Sequence, residues 1–348
     1  MRYGRGKRTR MRVRPTTQLS PGRAPGFDYT LQHRGLSPAA ALLVVAVVSA
    51  VWAGSAGSQV SAAQAPRARR HLVRAKPTPP GPSGPYLGQK LPGMIPEVFG
   101  PGFISTESSS AGGIAFSPDG NEIYFGRAGI WVTKQVSGVW TSPGLASFRG
   151  AASSFEPGMA PDGRRLYFAS GMDGDANGPQ IWYSDRAGDG WSQPTKVGPS
   201  SLSGGKMAPT AAANGNLYFT SVQGQMGWFY MARWSSGLLE TPVRLPSTIN
   251  AYSRMDHSFV APDESYLVFS AVSSAGQCLY VSFKGSTGNW RTPVKLDANV
   301  NATINQIQPS ISPDWKYLFF TRWDGEHGDI WWVDARVVFD LRPASQGP

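Results

Sequence analysis

Between Phe116 and Val333 the chain consists of short runs of aromatic and β-branched residues separated by Asp-Gly, Asn-Gly and proline, and no stretch reads as a long amphipathic helix. Runs this short, punctuated this way, predict strands joined by tight antiparallel turns. One phrase recurs five times: FSPDGNEIYF from Phe116, MAPDGRRLYF from Met159, AAANGNLYF from Ala211, VAPDESYLVF from Val260 and ISPDWKYLFF from Ile311. The closing aromatics Phe125, Phe168, Phe219, Phe269 and Phe320 stand 43, 51, 50 and 51 residues apart. A second strand follows each, centred on Ile130-Trp131, Ile181-Trp182, Phe229-Tyr230, Leu279-Tyr280 and Ile330-Trp331. In the first four copies a third mark comes next, ending on Pro143, Pro194, Pro242 or Pro293 three residues after Trp140, Trp191, Leu239 or Trp290.

A unit of about 50 residues with about four strands cannot bury both faces of its small sheet alone, so copies must stack or close in a ring. The expected fold is therefore an all-β, five-bladed β-propeller of four-stranded antiparallel sheets spanning residues 91–341. Six blades are the alternative, with a degenerate copy near Phe99 to Gly113. The fifth copy stops after Trp331, Trp332 and Val333, whereas Pro96-Glu97-Val98 followed by Gly100-Pro101 resembles the outer strand of copy two, Pro194 to Gly198. The N-terminal strand is expected to complete the last blade, which removes the open sheet edge of a broken ring.

Charge changes this picture less than its total suggests. The formal net charge is +11, but 15 of the Lys and Arg residues precede Leu91 with Asp28 as the only acid, leaving 18 basic and 21 acidic residues afterwards. A mildly acidic folded part does not favour nucleic acid as a partner. The basic residues from Arg2 to Arg14 precede AAALLVVAVVSAVWA, Ala39 to Ala53, the arrangement of a signal peptide with small residues behind it. Residues 1–65 are read as this basic segment and signal peptide, with an uncleaved membrane anchor as the alternative. Residues 66–90 read as a Pro-rich disordered linker, and 342–348 as a tail. The expected product is periplasmic or secreted, and monomeric. The single Cys278 excludes an intrachain disulfide and reads as a small buried packing residue.

The phrases MAPDGRRLYFAS, VAPDESYLVFSA and PSISPDWKYLFFTR resemble the TolB-like propeller repeats, a WD-like class marked by Ser/Ala-Pro-Asp-Gly before an aromatic strand. The likeness extends from about Leu91 to Leu341 and departs most in copy three, where Ala213-Asn214-Gly215 replaces Pro-Asp-Gly. It implies an extracytoplasmic propeller that serves as a binding or scaffolding platform and carries no universal catalytic residues.

The repeated acids Asp119, Asp162, Asp263 and Asp314 are expected to brace their turns by accepting backbone N–H bonds. Differences between copies are more informative. Six residues before each turn the inner strand begins with Gly113, Glu156, Ala208, His257 or Gln308. With Lys206, Arg254, Asp256 and Gln306 nearby, these form a candidate ligand site at one mouth of the central channel, suited to a peptide, protein or carbohydrate ligand. The alternative is a glycoside hydrolase using channel-mouth carboxylates such as Glu156 and Asp256. A second departure, Asp173-Gly174-Asp175-Ala176-Asn177-Gly178, has the first half of a calcium loop. Ser184 stands where the bidentate Glu belongs, so calcium through Asp173, Asp175 and Asn177 is a candidate cofactor only. No catalytic residue is assigned, because nucleophile-elbow and metalloprotease motifs are absent.

Overall fold

The computed structural model describes residues 81–344, apart from 199–201, 275 and 304. The expected leader and the first part of the expected linker lie outside the described residues. Four-stranded meanders form five blades. Their strands, inner to outer, are Gly112–Phe116, Glu122–Gly126, Ile130–Val136 and Gly144–Leu145 in blade 1, and Ser154–Met159, Arg165–Ser170, Gln180–Ala187 and Thr195–Lys196 in blade 2. Blade 3 comprises Gly205–Ala211, Leu217–Gln223, Met226–Ala232 and Val243–Arg244; blade 4 comprises Arg254–Val260, Tyr266–Ser273, Gly276–Phe283 and Val294–Lys295. Blade 5 has Gln306–Ile311, Tyr317–Trp323 and Gly328–Asp334, and takes Glu97–Val98 as its fourth strand.

The closing strand pairs antiparallel, with Glu97 opposite Trp332 and Val98 opposite Trp331, and the Phe99 N–H donates to Ile330 O at 2.8 Å. Five blades are thus satisfied without a sixth. The segment considered for a degenerate copy instead supplies the junction between blades 5 and 1, where Phe99, Ile104 and Ala111 are buried. The apolar interior reflects the same logic. It consists of five clusters, each drawn from two consecutive blades, including blades 5 and 1. Strand periodicity produces this division: in blade 5, Tyr317 and Phe319 pack toward blade 1, while Leu318 and Phe320 pack toward blade 4.

Each inner-strand turn is braced as its sequence requires. The side chains of Asp119, Asp162, Asn214, Asp263 and Asp314 accept the backbone N–H two residues on, from Asn121, Arg164, Asn216, Ser265 and Lys316. The residue after each turns left-handed. Glycine takes that position in blades 1 to 3 (Gly120, Gly163, Gly215), whereas Glu264 (φ 59°) and Trp315 (φ 62°) take it in blades 4 and 5. A side chain there costs about 1–3 kcal/mol. Glu264 offsets this by accepting from Asn216 Nδ2 at 2.9 Å and the Tyr218 hydroxyl at 2.8 Å, across the blade interface, and by pairing with Lys284.

The expected unpacked linker requires correction from Gly81 onward. Its apolar content is low overall, but Tyr86 and Leu87 suffice as anchors. Leu87 is buried, and the Tyr86 ring meets Tyr317 at 5.0 Å while its hydroxyl donates to Asp314. Trp140 is buried beneath this segment and donates its indole N–H to Gly84 O at 2.8 Å. The aromatic marks therefore tie elements together: the Trp191 indole likewise donates to the Tyr124 hydroxyl of blade 1. Cys278 is buried, as expected. Among the described residues no helix is long and apolar enough to cross a membrane.

Candidate functional site

Every inner strand carries a one-residue bulge at the same place, seen as register breaks between Gly112 and Ile114, Phe155 and Gly158, Met207 and Thr210, Met255 and Ser258, and Ile307 and Ser310. A bulge re-aims the side chain it carries. At four of these positions the backbone is left-handed: Gly113 (φ 58°), Glu156 (54°), Ala208 (52°) and Gln308 (54°). Only the first is glycine, so the inner ring holds three side chains in a conformation L-residues rarely adopt. Such outliers cluster where a fold holds a site.

The bulges bring four of the predicted residues into one chain of contacts. His257 Nε2 of blade 4 lies 2.7 Å from Glu156 Oε1 of blade 2, and the other Glu156 oxygen accepts the Ala208 N–H of blade 3 at 2.6 Å. His257 Nδ1 faces Asp256 Oδ2 at 3.5 Å, the Gln277 amide donates to that same oxygen, and Arg254 pairs with Asp256 Oδ1 at 3.3 Å. Glu156, Asp256 and His257 are all buried, whereas the Arg254 side chain is 35% exposed and forms the solvent end. For Asp256, burial pushes the carboxyl up, but the charges of His257 and Arg254 and the Gln277 hydrogen bond outweigh it and hold the group below its ordinary range. For His257, burial pushes the imidazole down, but the charges of Asp256 and Glu156 outweigh it and hold it above its ordinary value. The His257 ring thus stands between the carboxyl groups of Glu156 and Asp256.

Two predicted members take other partners. Lys206 is buried on the blade 3 inner strand, its ammonium donating to Leu202 O and Gly204 O, and burial lowers its pKa. Gln308 accepts from the Thr321 hydroxyl at 2.8 Å, and that hydroxyl also accepts the Gly113 N–H. Gln277 was missed. Nothing local marks it, since its role depends on blade 4 presenting it to Asp256. Around the chain three buried atoms find no hydrogen-bond partner: Arg254 Nε, His257 Nδ1 and Gln306 Oε1. Gln306 follows Asn305, which bridges to Gln277, so Arg254 and Gln306 begin the blade 4 and 5 inner strands, with His257 further along the first. Two are donors and one is an acceptor.

Beyond the bulges, toward the Pro-Asp turns, the channel becomes a funnel of about 190 Å3. Its walls are Pro157, Pro209 and Pro309 with Gly158, Thr210 and Ser258, and the turn prolines form its rim. The Glu156–His257 contact stands between this proline-lined end and the charged end.

The candidate calcium loop is held by an ammonium group. Lys196 Nζ lies 2.7 Å from Asp173 Oδ2 and 2.8 Å from Asp175 Oδ2, and Asp175 Oδ1 accepts the Asn177 N–H. Among the described residues no cluster of three or more His, Cys, Asp or Glu side chains is arranged to hold a metal. A cation would have to displace Lys196. We expect millimolar chelator to leave the melting temperature of the native protein unchanged, and Lys196→Ala to make it rise on calcium addition, as differential scanning fluorimetry would record.

No protein-family model and no curated protein sequence matches the chain. Among solved structures it is similar to TolB from Acinetobacter baumannii, at 19% identity and TM-score 0.44 over 67% of this chain and 53% of that one. It thus spans about half the length of that protein. A TolB structure from Agrobacterium tumefaciens aligns at 14% identity and TM-score 0.45 over 65% of this chain and 77% of that one. The nidogen/laminin complex aligns at 13% identity and TM-score 0.43 over 64% and 75%. These likenesses carry no argument about ligand or activity.

Proposed function

We propose that this chain is an extracytoplasmic, non-catalytic binding propeller of the TolB-like repeat class, taking a short peptide segment of a protein partner at the charged mouth of its channel. The observation that carries this reading is a pair of buried polar atoms without a hydrogen-bond partner, the donor Arg254 Nε and the acceptor Gln306 Oε1, at the start of the blade 4 and blade 5 inner strands and next to their bulges. Buried polar atoms ordinarily find partners, and a peptide backbone offers both N–H and C=O groups to such a wall. Glu156 and Asp256 are neutralised by His257 and Arg254, so the wall asks for hydrogen bonds more than for charge.

Glycoside hydrolysis needs two carboxylates that flank a scissile bond. Here the His257 ring stands between Glu156 and Asp256, 2.7 Å from one and 3.5 Å from the other, and carboxylates paired in this way favour binding over hydrolysis.

The test is selection of binders from a displayed library of random dodecapeptides on the full-length protein. Binders are expected to lose at least tenfold in affinity against Arg254→Gln and Gln306→Leu, two variants whose folding is checked by near-ultraviolet circular dichroism. Binders indifferent to both variants would remove the mouth from consideration.

A further inference from the structure

We propose that a second site, on the opposite face of the ring between the turns of blades 4 and 5, binds carbohydrate, with Trp315 as the stacking platform. The first observation is a residue in the wrong place for a structural role. Trp315 occupies the left-handed turn position that glycine fills in blades 1 to 3, and it is 43% exposed. Glu264, the other exception, gains two partners across its blade interface and a third, Lys284, within its own blade. Trp315 gains none of that kind: among the described residues no aromatic ring packs against it. A strained, exposed indole contributes nothing to the ring that glycine would not contribute better.

The second observation is what the indole borders. Trp315 lines both the channel funnel and a cleft of about 640 Å3 whose other walls include Pro262, Asp263, Tyr266, Phe339 and Arg342. That volume lies within the range of small-ligand sites. Two polar atoms on these walls are buried without a hydrogen-bond partner among the described residues, the Tyr266 hydroxyl and Arg342 Nε. Burial raises the Tyr266 pKa, so its hydroxyl keeps its proton and donates.

The ligand class follows from the mixture. A simple anion would meet the Asp263 carboxylate, and a simple cation would meet the Arg342 guanidinium. An uncharged ligand that both donates and accepts hydrogen bonds, and that offers an apolar C–H face to an indole, satisfies all the walls together. A pyranose ring has these properties. The cleft is separate from the charged mouth, which lies at the other end of the inner strands.

The test is calorimetric titration of the full-length protein with cellohexaose, chitohexaose, maltohexaose and laminarihexaose, beside a proline-rich decapeptide as the competing occupant of an aromatic-lined groove. At least one saccharide is expected to bind, with affinity reduced tenfold or more in Trp315→Gly and more modestly in Tyr266→Phe. Trp315→Gly restores the residue that this turn has elsewhere, so its melting temperature should stay level or rise, which separates lost binding from lost folding. Arg254→Gln should leave the saccharide titration unchanged. The proposal is overturned if no saccharide binds at millimolar concentration, if Trp315→Gly binds as the native protein does, if only the peptide binds, or if Arg254→Gln abolishes saccharide binding.

Discussion

Phe99→Ala is expected to destabilise the protein by about 3–5 kcal/mol, the range for emptying a buried phenylalanine site, and to loosen the seal of the ring. Phe99 is fully buried, with its ring 5.0 Å from Phe319 and 5.1 Å from Trp332, and it directly follows the strand that completes blade 5. Its loss leaves a cavity at the one blade junction whose fourth strand comes from the segment that precedes blade 1. A loss of this size is a large share of the about 5–15 kcal/mol typical of native proteins. Denaturant titration measures the loss, and hydrogen exchange locates it: amides of Ile330 to Trp332 should exchange faster, while the equivalent strand of blade 3, Met226–Ala232, keeps its protection. Equal acceleration in all blades would mean that the substitution weakens packing generally and that sealing is not local to this junction. Leu238→Ala, at a side chain that is 73% exposed, serves as the control and should change stability by less than about 0.5 kcal/mol.

The second large effect belongs to the buried charges. Glu156→Ala leaves the His257 ring with one fewer carboxyl partner and leaves the Ala208 N–H without its acceptor. Breaking a buried pair in this way costs about 3–5 kcal/mol. Glu156→Gln should cost less, because its amide oxygen can still accept a hydrogen bond from one of the two donors. The same groups set a pH profile. His257 has its folded pKa raised, so its contribution is fully present below the unfolded value of about 6.5 and is lost as pH rises through the folded pKa. Asp256 has its folded pKa lowered, so its contribution is present above about 3.9 and is lost as pH falls through the folded pKa. Both contributions are complete in the mildly acidic interval between about 4 and about 6.5. In Glu156→Gln the alkaline decline should begin at lower pH, because one of the two carboxylates that raise the His257 pKa is gone. A melting temperature that is flat from pH 5 to 9 in the native protein, with no difference in the variant, would contradict this assignment.

The ring was legible in the sequence because its determinants are local and written five times over. A turn acid acts within two residues, and the aromatic anchors and outer Trp recur at a regular spacing, so repetition exposes them even where copy three loses its proline. Closure was legible for a related reason: Pro96-Glu97-Val98 has the form of an outer strand and blade 5 lacks one. The site was only partly legible. Sequence spacing placed Glu156 and His257 on equivalent positions but not in contact, since that contact depends on the left-handed bulge that turns Glu156 across the channel. Lys206 and Gln308 occupy the expected strand positions yet satisfy themselves on Leu202, Gly204 and Thr321. Asp173 and Asp175 look like cation ligands until folding brings Lys196 beside them from the outer strand of the same blade. Tyr86 and Leu87 were hidden by the surrounding prolines and glycines. Lys206 aside, whose partners are its near neighbours, the deciding partner in each of these cases stands on another segment of the fold and no motif announces it.

The strand that seals the ring has a consequence for how the molecule is made. Glu97 and Val98 leave the ribosome before any blade does, whereas Trp331 and Trp332, against which they pair, belong to the last blade to emerge. Blades can condense in order of synthesis, but the first-born strand must wait without a partner until the final one arrives. Pairings between segments far apart in sequence are slow to form, so the joining of this strand to blade 5 is expected to come after the blades themselves. Until then the growing arc carries two raw sheet edges, and a holding chaperone or a delay in release would do most for its yield during that interval.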